Sequence, residues 1–398
     1  MVNSLKGDVF ITGAARTPLG NFQGGLSTTP ATELGATAIK AAIERSGLDS
    51  GDVEYTVMGN MLSAGLGQTP ARQAAISADI PNSVSALTIN KACASGMQAI
   101  VLGAQSIQLD EASAVVAGGM ENMSAAPHLL LNSRTGQRLG DTNLIDSMIH
   151  DGLWCPFENR HMGGSAEAIS EKYGVTREQQ DEFSERSHRL ASIASSEGSF
   201  SDEITPVEVK GRRGKVTIVD TDEGPRPDTT LDGLAGLRTV FPPGTTVTAG
   251  NASSISDGAA AVVVTNEHSA SQASNGPIAR ITGYAHAANE PGMLFDAPRI
   301  AVTNLLTKTG QTLDDFDQIE VNEAFAAQVL ANGQALSWDW DSVNLRGGAI
   351  ALGHPIGASG SRILVTLMYG LQANRRKEGL AVICHAGGGA VAMSISLQ

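Results

Sequence analysis

The segment ALTINKACASG at residues 86–96 has a counterpart late in the chain, DSVNLRGGAIALGHPIGASG at residues 341–360. In each, a short apolar run leads through a loop into a helical pattern. Further segments pair in the same order: DVFITG (8–13) with PIARITG (277–283), DVEYTVMGNML (52–62) with DFDQIEVNEAF (315–325), and ASAVVAGGM (112–120) with LAVICHAGGG (380–389). This pattern predicts an α/β unit that occurs twice, with the two copies related by a pseudo-twofold axis.

The segment between the two copies, residues 125–248, has a different character. It contains a predicted amphipathic helix from Thr176 to about Glu197, which begins with a capping box of Thr176 and Gln179. The apolar stripe expected to face the core consists of Phe183, Leu190 and Ile193. Much of the remaining segment is rich in Gly, Pro and charge, and long irregular insertions of this kind are usually functional.

Three domains are therefore predicted. Residues 1–124 together with 249–274 form the first copy, residues 125–248 form an inserted loop domain, and residues 275–398 form the second copy. A chain of 398 residues is long enough for this division.

The charge balance excludes some partners. With 27 Lys and Arg against 41 Asp and Glu, the net charge is −14, which argues against a nucleic-acid surface. An anionic substrate would need a local basic spot. The candidates are Arg212, Arg213, Lys215 and Arg226.

The location of the protein is inferred from what the sequence lacks. The start, MVNSLKGDVFITG, has no signal region, and no run is long and apolar enough to span a membrane. Cys93, Cys155 and Cys384 lie far apart, without the spacing of a metal site. We expect a cytoplasmic protein that has no membrane partner and binds no metal.

Two residues at equivalent positions of the repeat could carry chemistry together. Cys93 lies between a strand-like run and a helical pattern, where helix N–H groups would favour its thiolate. His354 occupies the matching position in the second copy, so a pseudo-twofold axis would bring thiol and imidazole together as nucleophile and base. Taken separately, a buried structural cysteine and a structural histidine are the more ordinary interpretations.

Two other polar residues follow predicted strands of the second copy. Cys384, after the apolar run LAVI, could act as an acid or base, or could be a small buried hydrophobic residue. Asn322 could orient a water in the same cleft, or could be an ordinary turn residue.

Taken together and in this order, these segments closely resemble the thiolase family, and the resemblance runs nearly from end to end. It is carried by NKACASG, NEAF, GGAIALGHPIGASG, CHAGGG, GGMENMS (118–124), HMGGSAEAIS (161–170), YGVTREQQDEFSERS (173–187) and VTAGNASSISDGAAA (247–261). The resemblance implies a duplicated α/β fold with a layered α-β-α-β-α core, mixed sheets and an inserted loop domain. It also implies an enzyme that condenses two acetyl-CoA molecules to acetoacetyl-CoA, with CoA thioesters as substrates and no cofactor.

The resemblance also implies roles for individual residues. Cys93 would carry the acyl group, His354 would activate it, and Cys384 would handle the proton of the second substrate. One oxyanion hole would consist of His354 and a water held by Asn322, and the other of the N–H groups of Cys93 and Ala386. Residues expected to contact the substrate or CoA are Ser253, His161, Met162, Ala324, Phe325, Leu294 and, at the phosphates, Arg226.

The sequence departs from the family pattern in two places. The family usually has Cys-x-Gly where this chain has Cys384-His385-Ala386, so a methyl group is expected to narrow the pocket there. A methionine typical of short-chain thiolases is Leu294 here. The loop at 125–150 resembles the one through which bacterial biosynthetic thiolases form tetramers, so a homotetramer is expected.

Three alternatives are kept open. A degradative 3-ketoacyl-CoA thiolase of broader chain length is the closest rival. A decarboxylating ketoacyl synthase shares the fold but typically pairs its cysteine with two histidines, whereas here one partner is Cys384. A catalytically silent acyl-CoA-binding protein, altered at Ala386, is the third.

Overall fold

A computed structural model describes residues 7–211, 214–273 and 275–398. Arg212 and Arg213 of the expected basic spot lie outside the described residues. The first part of the chain forms β1 Val9–Arg16, β2 Gly20–Asn21, α1 Ala31–Ser46, β3 Tyr55–Gly59, α2 Pro70–Ser77, β4 Ser85–Ile89, α3 Ser95–Gln108 and β5 Ala114–Asn122.

The middle of the chain folds into short elements around two longer helices. These are β6 His128–Leu129, β7 Ile145–Asp146, a π-helical turn Met148–Leu153, β8 Trp154–Cys155, β9 Arg160–His161, α4 Met162–Tyr173, α5 Arg177–Ser196, β10 Val207–Lys210, β11 Val216–Val219 and α6 Leu231–Ala235. The three hairpins pair β6 with β7, β8 with β9 and β10 with β11.

The chain then returns to the first sheet and builds the second copy. The remaining elements are β12 Ser256–Asn266, α7 Glu267–Ala270, β13 Ala279–Ala288, α8 Ala297–Thr309, β14 Gln318–Val321, α9 Ala326–Leu336, α10 Ala349–Leu352, α11 Ser359–Ala373, β15 Glu378–His385 and β16 Gly389–Leu397.

The strand order shows the duplication directly. Along the sheet the order is β14-β15-β16-β13-β1-β12-β5-β3-β4. Equivalent strands of the two copies therefore follow each other in opposite directions from the central β13–β1 pair, as a pseudo-twofold axis requires. Both copies pair antiparallel near this centre and parallel toward the edge, at β3–β5 and β14–β15. The counterpart of β4 is reduced to one bridge, Ile319 to Val343.

Three hydrophobic clusters place the helices in layers. Helices α1 and α2 cover the outer face of the first copy, α8 and α9 cover that of the second, and α3 and α11 fill the space between the copies. The expected α-β-α-β-α layering is confirmed.

The two central helices meet through equivalent glycines. A Cβ atom on Gly96 of α3 would lie 2.8 Å from the backbone nitrogen of Ser361, and one on Gly360 of α11 would lie 2.6 Å from that of Met97. Because only glycine permits this approach, the N-terminal turns of both helices, and the loops before them, lie side by side.

The inserted helix α5 follows its prediction in its ends but not in its buried face. Thr176 and Gln179 form the capping box, and Gly198 follows with a positive φ of 71°. The predicted apolar stripe is wrong at Ile193, which is 45% exposed. The buried face includes polar residues such as Ser187, whose hydroxyl donates to Glu323 at 2.7 Å, so partners in the second copy orient the helix.

Candidate active site

The nucleophile candidate lies in the loop between β4 and α3. Ala92 takes a positive φ of 46°, which turns the chain so that the half-buried Cys93 precedes the first turn of α3. Burial raises the pKa of the Cys93 thiol to about 12, although the backbone N–H groups of Ala386 and Cys93 itself act in the opposite direction. The N–H groups thus act as expected from the helix N-terminus, but burial opposes them and favours the protonated thiol at rest.

His354 lies in the equivalent loop of the second copy, between α10 and α11. Gly353 precedes it with φ 113°, and a Cβ there would lie 2.2 Å from Ser256 Oγ. The backbone N–H of His354 donates to Ser254 at 3.1 Å. Burial, with a smaller contribution from the charge of Arg362, lowers the pKa of His354 to about 3, so its imidazole is neutral at physiological pH.

The tautomer of His354 is defined by Ser359, one turn into the same segment. His354 Nδ1 lies 2.5 Å from Ser359 Oγ, and this hydroxyl is 2.9 Å from the carbonyl of Pro355. A carbonyl can only accept, so both contacts are satisfied when Ser359 donates to Pro355 and accepts from Nδ1–H. The other ring nitrogen, Nε2, is then the basic one.

Cys384 lies at the end of β15 and is fully buried. It pairs across the β15–β16 hairpin with Ala390. Burial, and to a lesser degree the nearby Cys93, raises its pKa well above the ordinary value, so Cys384 is a protonated thiol at rest.

One cavity of about 240 Å³ receives all three groups. The residues singled out in the sequence that line it are Cys93, His161, Met162, Ser253, Leu294, Ala324, Phe325, His354, Cys384 and Ala386. Ala386 does not take a positive φ, unlike Gly387 (87°) and Gly388 (95°) after it. Its methyl group therefore causes no backbone strain, because the glycines make the turn.

Asn322 and Arg226 do not line this cavity. Asn322 is fully buried, and neither its side-chain oxygen nor its nitrogen has a hydrogen-bond partner in the described protein. Since buried amides normally have partners, a water is the group that could satisfy it. Arg226 is exposed on a loop beyond α5, where its backbone N–H donates to His188 Nδ1 at 3.2 Å.

Several cavity residues were missed from the sequence. Phe241 stacks on His161 with ring centroids 4.5 Å apart, and Phe295 meets Phe325 edge-on at 5.3 Å. Phe241 lies in a Pro- and Gly-rich loop whose pattern gives no indication of burial. Ser359 and Glu121, by contrast, lie in the quoted motifs HPIGASG and GGMENMS and could have been considered as supports for the site.

The described part of the chain holds no group of three or more His, Cys, Asp or Glu residues suited to a metal ion. No helix in that part is long and apolar enough to cross a membrane.

Comparison with known proteins supplies relatives along the whole chain. The family described as thiolase, N-terminal domain matches residues 9–268, and thiolase, C-terminal domain matches residues 275–397. An acetyl-CoA acetyltransferase of Pseudomonas aeruginosa is 50% identical, over 98% of this chain and 99% of the relative. One of Cupriavidus necator is 49% identical over the same shares. The crystal structure of the Bacillus anthracis acetyl-CoA acetyltransferase superposes with a TM-score of 0.96 at 40% identity, covering 99% of this chain and 100% of that one.

Proposed function

This chain belongs to the thiolase family and is an enzyme, and on that premise we propose that it condenses two acetyl-CoA molecules to acetoacetyl-CoA and free CoA. The relatives at about half identity carry the name acetyl-CoA acetyltransferase, and the match extends over nearly their full length. The reverse reaction is thiolysis of acetoacetyl-CoA.

In the first half-reaction, the Cys93 sulfur attacks the carbonyl carbon of acetyl-CoA while its proton passes to Nε2 of His354. Negative charge develops on the thioester oxygen, and the N–H groups of Cys93 and Ala386, which already face the sulfur, support a role as its donors. The carbon–sulfur bond to CoA then breaks, and CoA leaves with a proton from Cys384. Acetyl-Cys93 remains.

In the second half-reaction, the Cys384 thiolate removes a proton from the methyl carbon of a second acetyl-CoA. The enolate oxygen is stabilised by His354 and a water held by Asn322. The new carbanion attacks the carbonyl of acetyl-Cys93, the bond to the Cys93 sulfur breaks, and the sulfur regains its proton from His354. Both thiols return to their starting state, so the cycle needs no cofactor.

The observation that carries this proposal is the composition of one cavity: two separate protonated thiols and a neutral imidazole. A protonated Cys93 needs a base close by, and neutral His354 is suited to that role. A ketoacyl synthase would typically offer a second histidine, whereas this position is Cys384.

The cavity favours a short acyl chain over the broader substrates of a degradative thiolase. Leu294 is buried in its wall, and the stacked pair His161–Phe241 and the edge-on pair Phe295–Phe325 bound it. Thiolysis rates on C4, C6, C8 and C12 3-ketoacyl-CoAs test this. We expect C4 to have the highest kcat/KM, and equal or higher values on C8 would support the degradative alternative.

The CoA moiety is proposed to enter with its pantetheine arm beside Ser253, while His161, Met162, Ala324 and Phe325 line the pocket. Arg226 lies outside the cavity and is exposed to solvent, where a cationic side chain could contact the CoA phosphates. The arginine's exposure and its place on the inserted segment support this assignment.

We also propose a cytoplasmic homotetramer with the domain limits given from the sequence. The loop at 125–150 leaves large apolar side chains in solvent, among them Leu131 at 47%, Leu139 at 94% and Leu144 at 63% exposure, which fits an assembly surface. The three cysteines are free thiols, as expected for a reducing compartment. Light scattering should give four times the chain mass of 41.1 kDa, and a monomer would contradict the assembly.

A further inference from the structure

A buried carboxylate, Glu121 of β5, is held by four hydrogen bonds. Its Oε1 accepts from Asn60 Nδ2 at 2.9 Å and from the backbone N–H of Leu62 at 3.1 Å. Its Oε2 accepts from the backbone N–H groups of Met61 at 3.1 Å and Gly357 at 2.9 Å. Glu121 is 0% exposed, and no ion pair in the described part of the chain includes it.

These donors belong to the two sides of the site. Gly357 follows His354 by three residues, whereas Leu62 packs in the small apolar cluster against which Cys93 lies. The loop of Gly357 rests directly on β5, since a Cβ on Gly119 would lie 2.0 Å from the Gly357 carbonyl oxygen. Glu121 therefore supplies the hydrogen bonds of this contact between β5 and the His354 loop, and the glycines permit its close approach.

The carboxylate lies on the Cys93 side of this contact, because it accepts from the N–H of Leu62, a member of the cluster that Cys93 packs against. In its ionised form it therefore brings a negative charge toward the nucleophile. Burial raises the pKa of Glu121 to about 7, and the three backbone N–H groups oppose that shift by favouring the ionised form. After burial, the charge of Glu121 is what raises the pKa of Cys93. The other titratable groups that share the cavity with Cys93 are Cys384, neutral His354 and His161, with His385 adjacent to Cys384 and Lys91 on the Cys93 loop. Asp257 acts on Glu121.

We propose that Glu121 is a positioning residue, which fastens the His354 loop to the Cys93 side and keeps the proton on Cys93 until His354 removes it. The inference rests on the proposed function for its catalytic part. In the resting enzyme it would protect Cys93 from adventitious alkylation or oxidation, since the thiolate is the reactive form.

Three variants separate these effects. Glu121→Gln removes the charge and turns an amide NH₂ toward two N–H donors. Glu121→Asp keeps the charge but has a side chain one methylene shorter, so its carboxylate no longer reaches all four donors. Glu203→Gln is the matched control, because Glu203 is equally buried and links Arg16 to Thr366 without touching a residue of the site.

The first readout is the rate at which iodoacetamide alkylates Cys93 in the full chain, followed by peptide mass spectrometry at several pH values from 7 to 9.5. We expect Glu121→Gln to react about tenfold faster at pH 9, where Glu121 is ionised in the wild type, and the difference to shrink toward pH 7, where the pKa of about 7 leaves part of the wild-type carboxyl neutral. Glu121→Asp and Glu203→Gln should react at the wild-type rate. If Glu121→Gln were alkylated faster only because the His354 loop is less firmly held, Glu121→Asp would be alkylated faster as well.

The second readout is condensation of acetyl-CoA. In both Glu121 variants kcat should fall about tenfold or more while KM stays within about threefold of the wild type. The reason is that the base, His354, is displaced whereas the groups that bind the substrate are unchanged. Wild-type alkylation rates in Glu121→Gln would overturn the charge role, and wild-type kcat in Glu121→Asp would overturn the fastening role. If the wild-type protein fails to condense acetyl-CoA, the proposed function fails, while alkylation still reads the charge.

Discussion

Removing one hydroxyl group, in Ser359→Ala, should slow acetylation of Cys93 without touching any group that contacts the substrate. Ser359 accepts from His354 Nδ1 at 2.5 Å and thereby keeps the proton off Nε2. Without the hydroxyl, Nδ1–H is left buried and unpaired, at a cost of about 1–3 kcal/mol, and the ring gains by moving its proton to Nε2. That tautomer cannot accept the Cys93 proton.

If this free energy is lost from the acetylation step, the rate falls about 5- to 150-fold, since about 1.4 kcal/mol corresponds to a factor of ten. The assay is a rapid-quench reaction of enzyme with acetyl-CoA, read as the mass gain of the Cys93 peptide. The defect should be independent of pH from 6 to 9, because His354, with a pKa near 3, is neutral throughout.

Ser361→Ala is the matched control. Ser361 lies in the same helix and is fully buried, and its single O–H donates between the carbonyls of Ala358 at 2.8 Å and Ala260 at 3.0 Å. It loses a comparable hydrogen bond but leaves His354 untouched, so its acetylation rate should match the wild type. Equal rates for Ser359→Ala and Ser361→Ala would refute the tautomer argument.

Three further outcomes follow from the structure. Burial lowers the pKa of His188 to about 4, so between pH 6.5 and pH 4 the unfolded chain binds a proton that the folded chain does not. The free energy of unfolding of the wild type, measured by urea titration, should therefore fall by about 2 kcal/mol by pH 4.5, and that of His188→Gln should fall less. Arg226→Gln should raise KM for CoA in thiolysis about 3- to 10-fold with kcat unchanged, a difference that shrinks at high salt; an unchanged KM would remove Arg226 from the CoA site. Ala386→Gly should stay active and should use C6 3-ketoacyl-CoA better relative to C4 in competition assays, because a methyl group is removed from the cavity wall; an unchanged ratio of C6 to C4 turnover would contradict this. Its free energy of unfolding should be lower than that of the wild type by about 0.5–1 kcal/mol.

Much of the fold could be predicted because the sequence repeats itself. The pairing of ALTINKACASG with the HPIGASG segment placed Cys93 and His354 in equivalent loops, and the mirrored strand order has the same pairing. What the repeat could not give is why the loops meet. The sequence does not distinguish Gly96 and Gly360 from the many other glycines, whereas in the structure they let the backbones of α3 and α11 come into contact.

The site was less predictable where burial decides the chemistry. The helix N-terminus suggested a thiolate at Cys93, but its burial between the two copies depends on residues hundreds of positions away and outweighs the local N–H groups. Ile193 was assigned to a buried stripe by periodicity alone. Helix α5 instead turns Ser187 inward, since its partner Glu323 belongs to the second copy.

The most direct test is the mass of Cys93 after prolonged reaction with acetyl-CoA in the Cys384→Ser variant. That variant keeps the nucleophile and His354 but lacks the thiol that would protonate the departing CoA and deprotonate the second acetyl-CoA. Acetylation should therefore be slower, since CoA must leave as its thiolate, whereas condensation should stop. We expect an acetyl group to accumulate on the Cys93 peptide, no acetoacetyl-CoA to form, and iodoacetamide no longer to react at Cys93. An unmodified Cys93, or an acetyl group on Cys384 in the wild type, would contradict it.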